Sequence, residues 1–395
     1  MITPFPVKGQ GVFLFHTTTQ DVSSCILRLS SADESVGLLV EFTPTQVLVK
    51  ELQSLKPLDD PANTKGLSDL SGAYYWFSLD AQNQRLHAGV GEARLETAIY
   101  TYTFPEHASK SFLESITHVA YPDTVQPIRF LKDPIRRKIP LAVKDTHELT
   151  MDHIATDAFL PKANLPPIGQ KLYDCIAGKQ FTLNTPDFPD FTQAIEYSIR
   201  TPGLWCYKKL REKSREFNPD VPDLSETYLR ITLGENNGES PGIPYVMEIW
   251  PVGHYSPIHS HSNANAIIRV LNGEIHVSLY PFLCDQKGGV QPFGSATFKE
   301  GDVAWITPTL NQVHQLKNLE TNSYTCITIQ CYMYNEVDRK HYDYFDYLDA
   351  NGAKQLYEPD SDKEFLAFKE LIRGEWEARP GGLAATKPAG WACWK

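Results

Sequence analysis

Three histidines carry the chemistry most readily read from this sequence. His259 and His261 are separated by one residue, and His314 follows further along. In an extended strand, residues two apart face the same side, so His259 and His261 present both imidazoles to one point. Neutral imidazole is the commonest metal ligand and suits iron, copper, zinc or nickel. Such a pair on its own is as readily a surface or core feature, and its surroundings turn the reading to metal. The stretch from Gly253 through His259 and His261 to Gly273 reads G-x5-H-x-H-x11-G. A second stretch, from Gly301 through Pro308, Asn311 and His314 to Asn318, reads G-x6-P-x2-N-x2-H-x3-N.

Together these stretches resemble the two motifs of the cupin superfamily, whose members close a small β-barrel around one metal. The second motif usually has glycine where Asn311 stands, and asparagine tolerates the left-handed backbone better than most residues. A typical cupin adds a glutamate ligand three or four residues after the HxH pair. Those positions are Asn265 and Ala266, and neither is a carboxylate. Three neutral imidazoles leave the metal with its full charge and an open position. That centre favours an anionic, bidentate substrate such as a thiolate, with room for O2 beside it.

One branch fits the surrounding residues. Trp250-x2-Gly253-His254-x-Ser256-x-Ile258-His259-x-His261-x-Asn263 resembles the corresponding stretch of the cysteine dioxygenase family, as do Tyr228-Leu229-Arg230 and Cys326-Ile327-Thr328-Ile329-Gln330-Cys331-Tyr332. The likeness spans roughly residues 170 to 350. It implies that His259, His261 and His314 hold Fe(II), that Arg230 pairs with a substrate carboxylate, and that the Tyr332 hydroxyl lies beside bound thiol and oxygen. Tyr228 joins them as a substrate contact, with Trp250, Ser256, Thr328 and Gln330 in support. The chemistry suits the roles. A guanidinium grips a carboxylate through two parallel hydrogen bonds, and a phenol can donate to a developing oxyanion. The plainer readings are a strand-edge charge for Arg230 and a core tyrosine for Tyr332. His254, His276, Cys326, Cys331 and Trp305 are taken as structural.

Three departures qualify the resemblance. Ala266 stands where animal members carry the cysteine that crosslinks to the tyrosine, so no thioether can form there. The family's Ser-His-Tyr line reads Thr328-Gln330-Tyr332, which keeps hydrogen bonding but loses the titrating group. The chain also carries a large N-terminal region that small thiol dioxygenases lack. The implied activity is an Fe(II)-dependent thiol dioxygenase forming a sulfinate from a carboxylate-bearing thiol, cysteine first, then 3-mercaptopropionate or mercaptosuccinate. The alternatives are a cupin lyase or isomerase using Tyr332 as base, and a non-enzymatic cupin binding protein.

The elements that must position these residues follow from length and pattern. A chain of 395 residues suits two domains, and 42% hydrophobic with 22% charged residues is ordinary for a globular protein. A net charge of −11 argues against non-specific nucleic-acid binding. The sequence has no apolar run of bilayer length and no basic-then-apolar N-terminus, and its seven cysteines are scattered with no CxxC pair. A cytoplasmic protein with reduced thiols is expected.

The overall expectation is mainly β. Residues 1–130 form a β-sandwich from six apolar runs (GVFLFHT, CILRLSS, VGLLVEFT, AYYWFSLD, HAGVGEA, ETAIYTYTF). Tyr75–Glu92 resembles a strand-turn-strand of the farnesoic acid O-methyltransferase-type domain, which implies an accessory module with an unidentified ligand or partner. Residues 131–170 are a proline-rich linker or wrap. Residues 171–380 form a jelly-roll-type cupin barrel preceded by a few helices, at FTQAIEYSIR and GLWCYKKLREKS. Residues 381–395 form a tail that Trp391 and Trp394 pin.

Overall fold

The computed structural model describes residues 1–17, 24–43, 46–58, 74–105, 109–233, 243–283, 291–334 and 345–381. The tail with Trp391 and Trp394 lies outside the described residues, as do Cys284 and Cys393. The cysteines Cys25, Cys175, Cys206, Cys326 and Cys331 are free thiols. Among the described residues no helix is long and apolar enough to cross a membrane.

The short apolar runs of the N-terminal region fold into two facing five-stranded sheets. One has the order Ile2–Pro4, His118–Ala120, Cys25–Ser30, Gly37–Phe42, Val47–Glu51; the other Val125–Leu131, Gln10–Thr17, Tyr74–Asp80, Arg85–Val90, Ala98–Thr103. The alternation of strand side chains fills the space between them. In Gln10–Thr17, Phe13 stacks on Phe130 with centroids 4.6 Å apart, and Phe15 stacks on Tyr75 at 5.6 Å. Val12 and Leu14 of the same strand face the other way, where Trp76 and Ile135 cover them. The centre of the second sheet is therefore buried on both faces. Val47–Glu51 and Val125–Leu131 lie outside the six apolar runs; the second is largely exposed and shifts register between Pro127 and Arg129.

The C-terminal half is a barrel of two facing sheets. The larger runs Leu160–Pro161, Ala142–Lys144, Val303–Ile306, Asn265–Asn272, Cys326–Met333, Tyr245–Trp250, Leu229–Leu233, Lys363–Glu364. The smaller runs Gly294–Lys299, Glu274–Leu279, His314–Lys317, His259–Ser260, Phe345–Leu348, Lys354–Tyr357. The central strand Cys326–Met333 is buried throughout, and its alternation divides the fold. Ile327, Ile329 and Cys331 face an outer layer of helices, while Cys326 and Tyr332 pack inside the barrel.

The helices Pro167–Ile176, Phe191–Arg200 and Trp205–Glu212 precede the barrel, and Phe365–Glu377 follows it. This last helix adds to those expected ahead of the barrel. Phe365, Phe368 and Ile372 recur at helical spacing, and Phe368 meets Phe191 at 6.0 Å. The proline-rich stretch wraps the barrel: Ala142–Lys144 pairs with Val303–Ile306, and Trp305 Nε1 donates to the Pro140 carbonyl at 3.1 Å.

Candidate metal centre

The larger sheet leaves Trp250 and turns at Gly253, whose φ of +83° is in the left-handed region. Ser256 then latches the returning chain. Its hydroxyl donates to the Pro257 carbonyl (2.9 Å) and accepts from the Leu316 amide (3.1 Å). His259 falls opposite His314 in strand register. The extended segment is only His259–Ser260, because Ser262 and Asn263 take φ of +46° and +69° and fold the chain back. Alternation across those few residues still brings both imidazoles together.

The ligand atoms of His259, His261 and His314 all lie within 4.8 Å of one another. The Nε2 atoms of His261 and His314 are 3.3 Å apart. His259 Nδ1 sits 3.0 Å from the Pro257 carbonyl and His314 Nδ1 3.1 Å from the Asn311 carbonyl. A carbonyl can only accept, so each Nδ1 carries the proton and each Nε2 keeps its lone pair. Burial holds the rings neutral, at about 4 for His259, about 3 for His314, and well below the ordinary value for His261. His314 Nε2 therefore turns its lone pair toward His261 Nε2, an arrangement in which a cation could lie between them. A metal about 2.0–2.1 Å from each nitrogen sets tetrahedral ligands about 3.3 Å apart, so the residues present fit a divalent metal.

Beside the triad runs a buried polar row. Arg230, Glu248 and Thr328 are register partners on three adjacent strands. Arg230 NH1 donates to Glu248 Oε1 at 3.1 Å, and Gln330 Nε2 donates to Glu248 Oε2 and to Thr328 Oγ1 (3.2 Å). The Tyr332 hydroxyl donates to Gln330 Oε1 in a short hydrogen bond. The Tyr332 ring lies 5.4 Å from that of His261, and Phe345 meets His261 edge-on at 4.3 Å. Burial raises the Glu248 carboxyl, against the pull of Arg230.

The residues read from sequence are thus brought together, with Arg230 already bonded to Glu248. Tyr228 stacks on Trp250 at 4.2 Å, and both line a cavity that continues from the histidines along apolar Leu141, Val270, Ile275 and Phe298. Ala266 lies opposite Tyr332. Asn265, one of the two positions expected for a glutamate ligand, donates to the Met333 and Tyr334 carbonyls (3.2 and 3.1 Å). His254 bonds the Thr227 carbonyl (2.9 Å) and His276 the Thr297 hydroxyl (3.1 Å), so both are structural.

Sequence reasoning missed two groups. Glu248 carried a signal, a lone acid in the apolar run YVMEIW. Gln312 carried none, yet its Oε1 accepts from the His261 amide (3.0 Å) and its Nε2 donates to the Ala264 and Thr307 carbonyls (2.9 and 3.0 Å).

A β-barrel that gathers three histidines at one point offers a group that could hold a metal ion. No family model matches the chain. The chain is 26% identical over 110 residues to cysteine dioxygenase type 1 of Danio rerio, covering 27% of this chain and 51% of that protein. It thus spans about half the length of that curated relative. Among solved structures, a cupin-like protein from Thermotoga maritima is 16% identical, with 31% of this chain and 76% of that chain covered and a TM-score of 0.22. A cupin 2 domain-containing protein from Halorhodospira halophila is 17% identical, with 41% and 88% covered and a TM-score of 0.22. An oxalate oxidase is 19% identical, with 29% and 53% covered and a TM-score of 0.22.

Proposed function

We propose that this chain is a non-haem Fe(II) thiol dioxygenase that adds O2 to the sulfur of a small carboxylate-bearing thiol, cysteine first, giving the sulfinate. The observation that carries the reading is the ligand set. Among the described residues, the group able to hold an ion is His259, His261 and His314, with no carboxylate in it. Three neutral donors leave a metal's charge for an anionic sulfur to balance. The partial likeness to a cysteine dioxygenase supports the same reading.

Bound Fe(II) would supply the electron-rich centre at which thiolate and O2 meet. The chain's own residues orient and screen. Gln330 holds the Tyr332 hydroxyl by accepting its one proton, and that O–H would turn from Gln330 Oε1 to donate to oxygen arriving at sulfur. Phe345, Trp250 and the apolar wall of the cavity keep water from competing.

Arg230 and Glu248 refine the substrate. Arg230 already faces a carboxylate 3.1 Å away, so a purely anionic thiol acid meets Glu248 as a like charge. A zwitterion meets both: its carboxylate goes to Arg230 and its ammonium to Glu248. This favours cysteine over 3-mercaptopropionate and mercaptosuccinate.

The test is oxygen uptake by iron-loaded protein with cysteine, 3-mercaptopropionate, mercaptosuccinate and cysteamine. Uptake with cysteine in the lead is expected, and no thiol-dependent uptake at all would refute the reading. A second reading is a lyase or isomerase with the metal as Lewis acid. The Tyr332 ring, 5.4 Å from that of His261 and so within reach of a substrate the same metal would polarise, favours it. It is distinguished by turnover without oxygen consumption.

A further inference from the structure

We infer that the N-terminal sandwich is a working part of the metal centre, in which Glu92 and Arg94 hold the turn that orients His314 and His261. This rests on the metal site described above and not on which reaction that site performs.

The two regions meet where strand Arg85–Val90 ends. Gly91, at φ +82°, brings the backbone so close that a Cβ there would lie 2.1 Å from the Pro281 carbonyl oxygen. The next amide, of Glu92, donates to that oxygen at 3.1 Å. Glu92 Oε1 accepts from the backbone amide of Gln312 (2.8 Å). Arg94 NH1 donates to Asn311 Oδ1 (2.9 Å) and lies 3.5 Å from Glu92 Oε2, while its NH2 donates to the Ile139 carbonyl (2.8 Å). Arg94 is 1% exposed and Glu92 7%.

What the pair grips is the scaffold of the ligands. The Asn311 carbonyl takes the His314 Nδ1 proton, and the Gln312 side chain takes the His261 amide proton. Two lines of hydrogen bonds therefore run from the sandwich to the metal site, Arg94–Asn311–His314 and Glu92–Gln312–His261. Asn311 sits at φ +60°, in the left-handed region that asparagine tolerates better than most residues. The neighbours of the ligands are gripped as well: Ile258 and Val313, beside His259 and His314, pack into the sandwich core. A buried ion pair adds little net stability, because desolvation offsets its attraction. Partners that orient a ligand's ring act instead on metal affinity.

The experiment uses the full chain stripped of metal and titrated with Co(II), whose visible spectrum reports coordination, in competition with a chelator. Arg94→Ala and Glu92→Ala are expected to bind Co(II) about ten- to a hundredfold more weakly, with an altered spectrum. Arg94→Lys, which keeps the cation, recovers part of the loss. The control is Arg136→Ala, which breaks a 3.0 Å ion pair to Asp80 in the same sandwich without touching the turn. It should lower the melting temperature and leave Co(II) affinity unchanged. Should either alanine variant not fold, Arg94→Lys and Glu92→Leu, which removes the acceptor at similar volume, carry the test. Wild-type affinity and spectrum in the Glu92 and Arg94 variants overturn the inference, as does an equal loss in Arg136→Ala. A wild-type chain that binds no Co(II) removes the metal reading itself.

Discussion

At the scale of single residues, the three rings are set to bind a cation and not a proton. His259 and His314 stay neutral down to about 4 and about 3 because burial disfavours their charged forms. Protons therefore compete for their Nε2 lone pairs only below about pH 4, whereas ordinary histidines begin to lose metal near pH 6.5. Metal affinity of the folded chain should be flat from pH 8 to about 5. Chelator competition at pH 7.5 and 5.5, corrected for the chelator's own protonation, checks this, and a steady loss beginning near pH 6.5 counts against it. The same depression acts on folding. Between the depressed values and pH 6.5 the unfolded chain binds more protons than the native one, so the metal-free fold loses stability as pH falls through that window. Glu248 governs choice of substrate in a second residue-scale prediction. Glu248→Gln keeps a side chain that bonds Arg230 but removes the charge that meets an ammonium. Hydrogen bonds to charged groups contribute about 1.5–3 kcal/mol. The kcat/KM ratio of cysteine to 3-mercaptopropionate should therefore fall by tenfold or more. An unchanged ratio would take Glu248 out of substrate recognition.

At the scale of elements, the strand Cys326–Met333 separates the site from the helical layer. Thr328, Gln330 and Tyr332 serve the site, while Ile327 and Ile329 anchor the helices that cover the sheet. Ile329 is 2% exposed, so Ile329→Ala leaves a cavity in close-packed surroundings. It should cost about 2–5 kcal/mol of stability in urea unfolding while leaving metal affinity intact. A cost under 1 kcal/mol would mean that the helices collapse onto the gap. This strand also explains what sequence could reveal. The histidines and the Thr-Gln-Tyr line are legible because period-two alternation is a local property of a few residues. The helices at Phe191–Arg200 and Trp205–Glu212 carry their own periodicity and were equally readable. Ala142–Lys144 and Leu160–Pro161 are strands only because the barrel's edge pairs with the first, which in turn pairs with the second, and proline-rich sequence reads as linker. Glu248 carried a signal, an acid among apolar neighbours, but was missed. Glu92 and Arg94 could not, because their partners in the site lie 220 and 217 residues away.

At the scale of the molecule, sandwich and barrel share one core instead of touching across a polar joint. Tyr280, Phe282 and Val313 of the barrel half are buried in the same cluster as Phe13, Phe15 and Leu27 of the sandwich. The buried Glu92 and Arg94 bonds span the same boundary. Independent units joined by a linker unfold separately, and only the unit that binds a ligand is stabilised by it. Here, removing the sandwich would expose Val313 beside His314 and strip the turn at Asn311, so the barrel has no native state of its own to retain. Calorimetry of the full chain should accordingly show one cooperative transition, not two. Saturation with metal should move that whole transition upward, since a ligand at a hundred times its Kd stabilises the native state by about 2.7 kcal/mol. Trp76, buried in the sandwich sheet, and Trp250, buried in the barrel, should both report the same midpoint with and without metal. A sandwich transition that stays put while the barrel's shifts would mean that the shared core does not couple the halves, and that the metal is held by the barrel on its own.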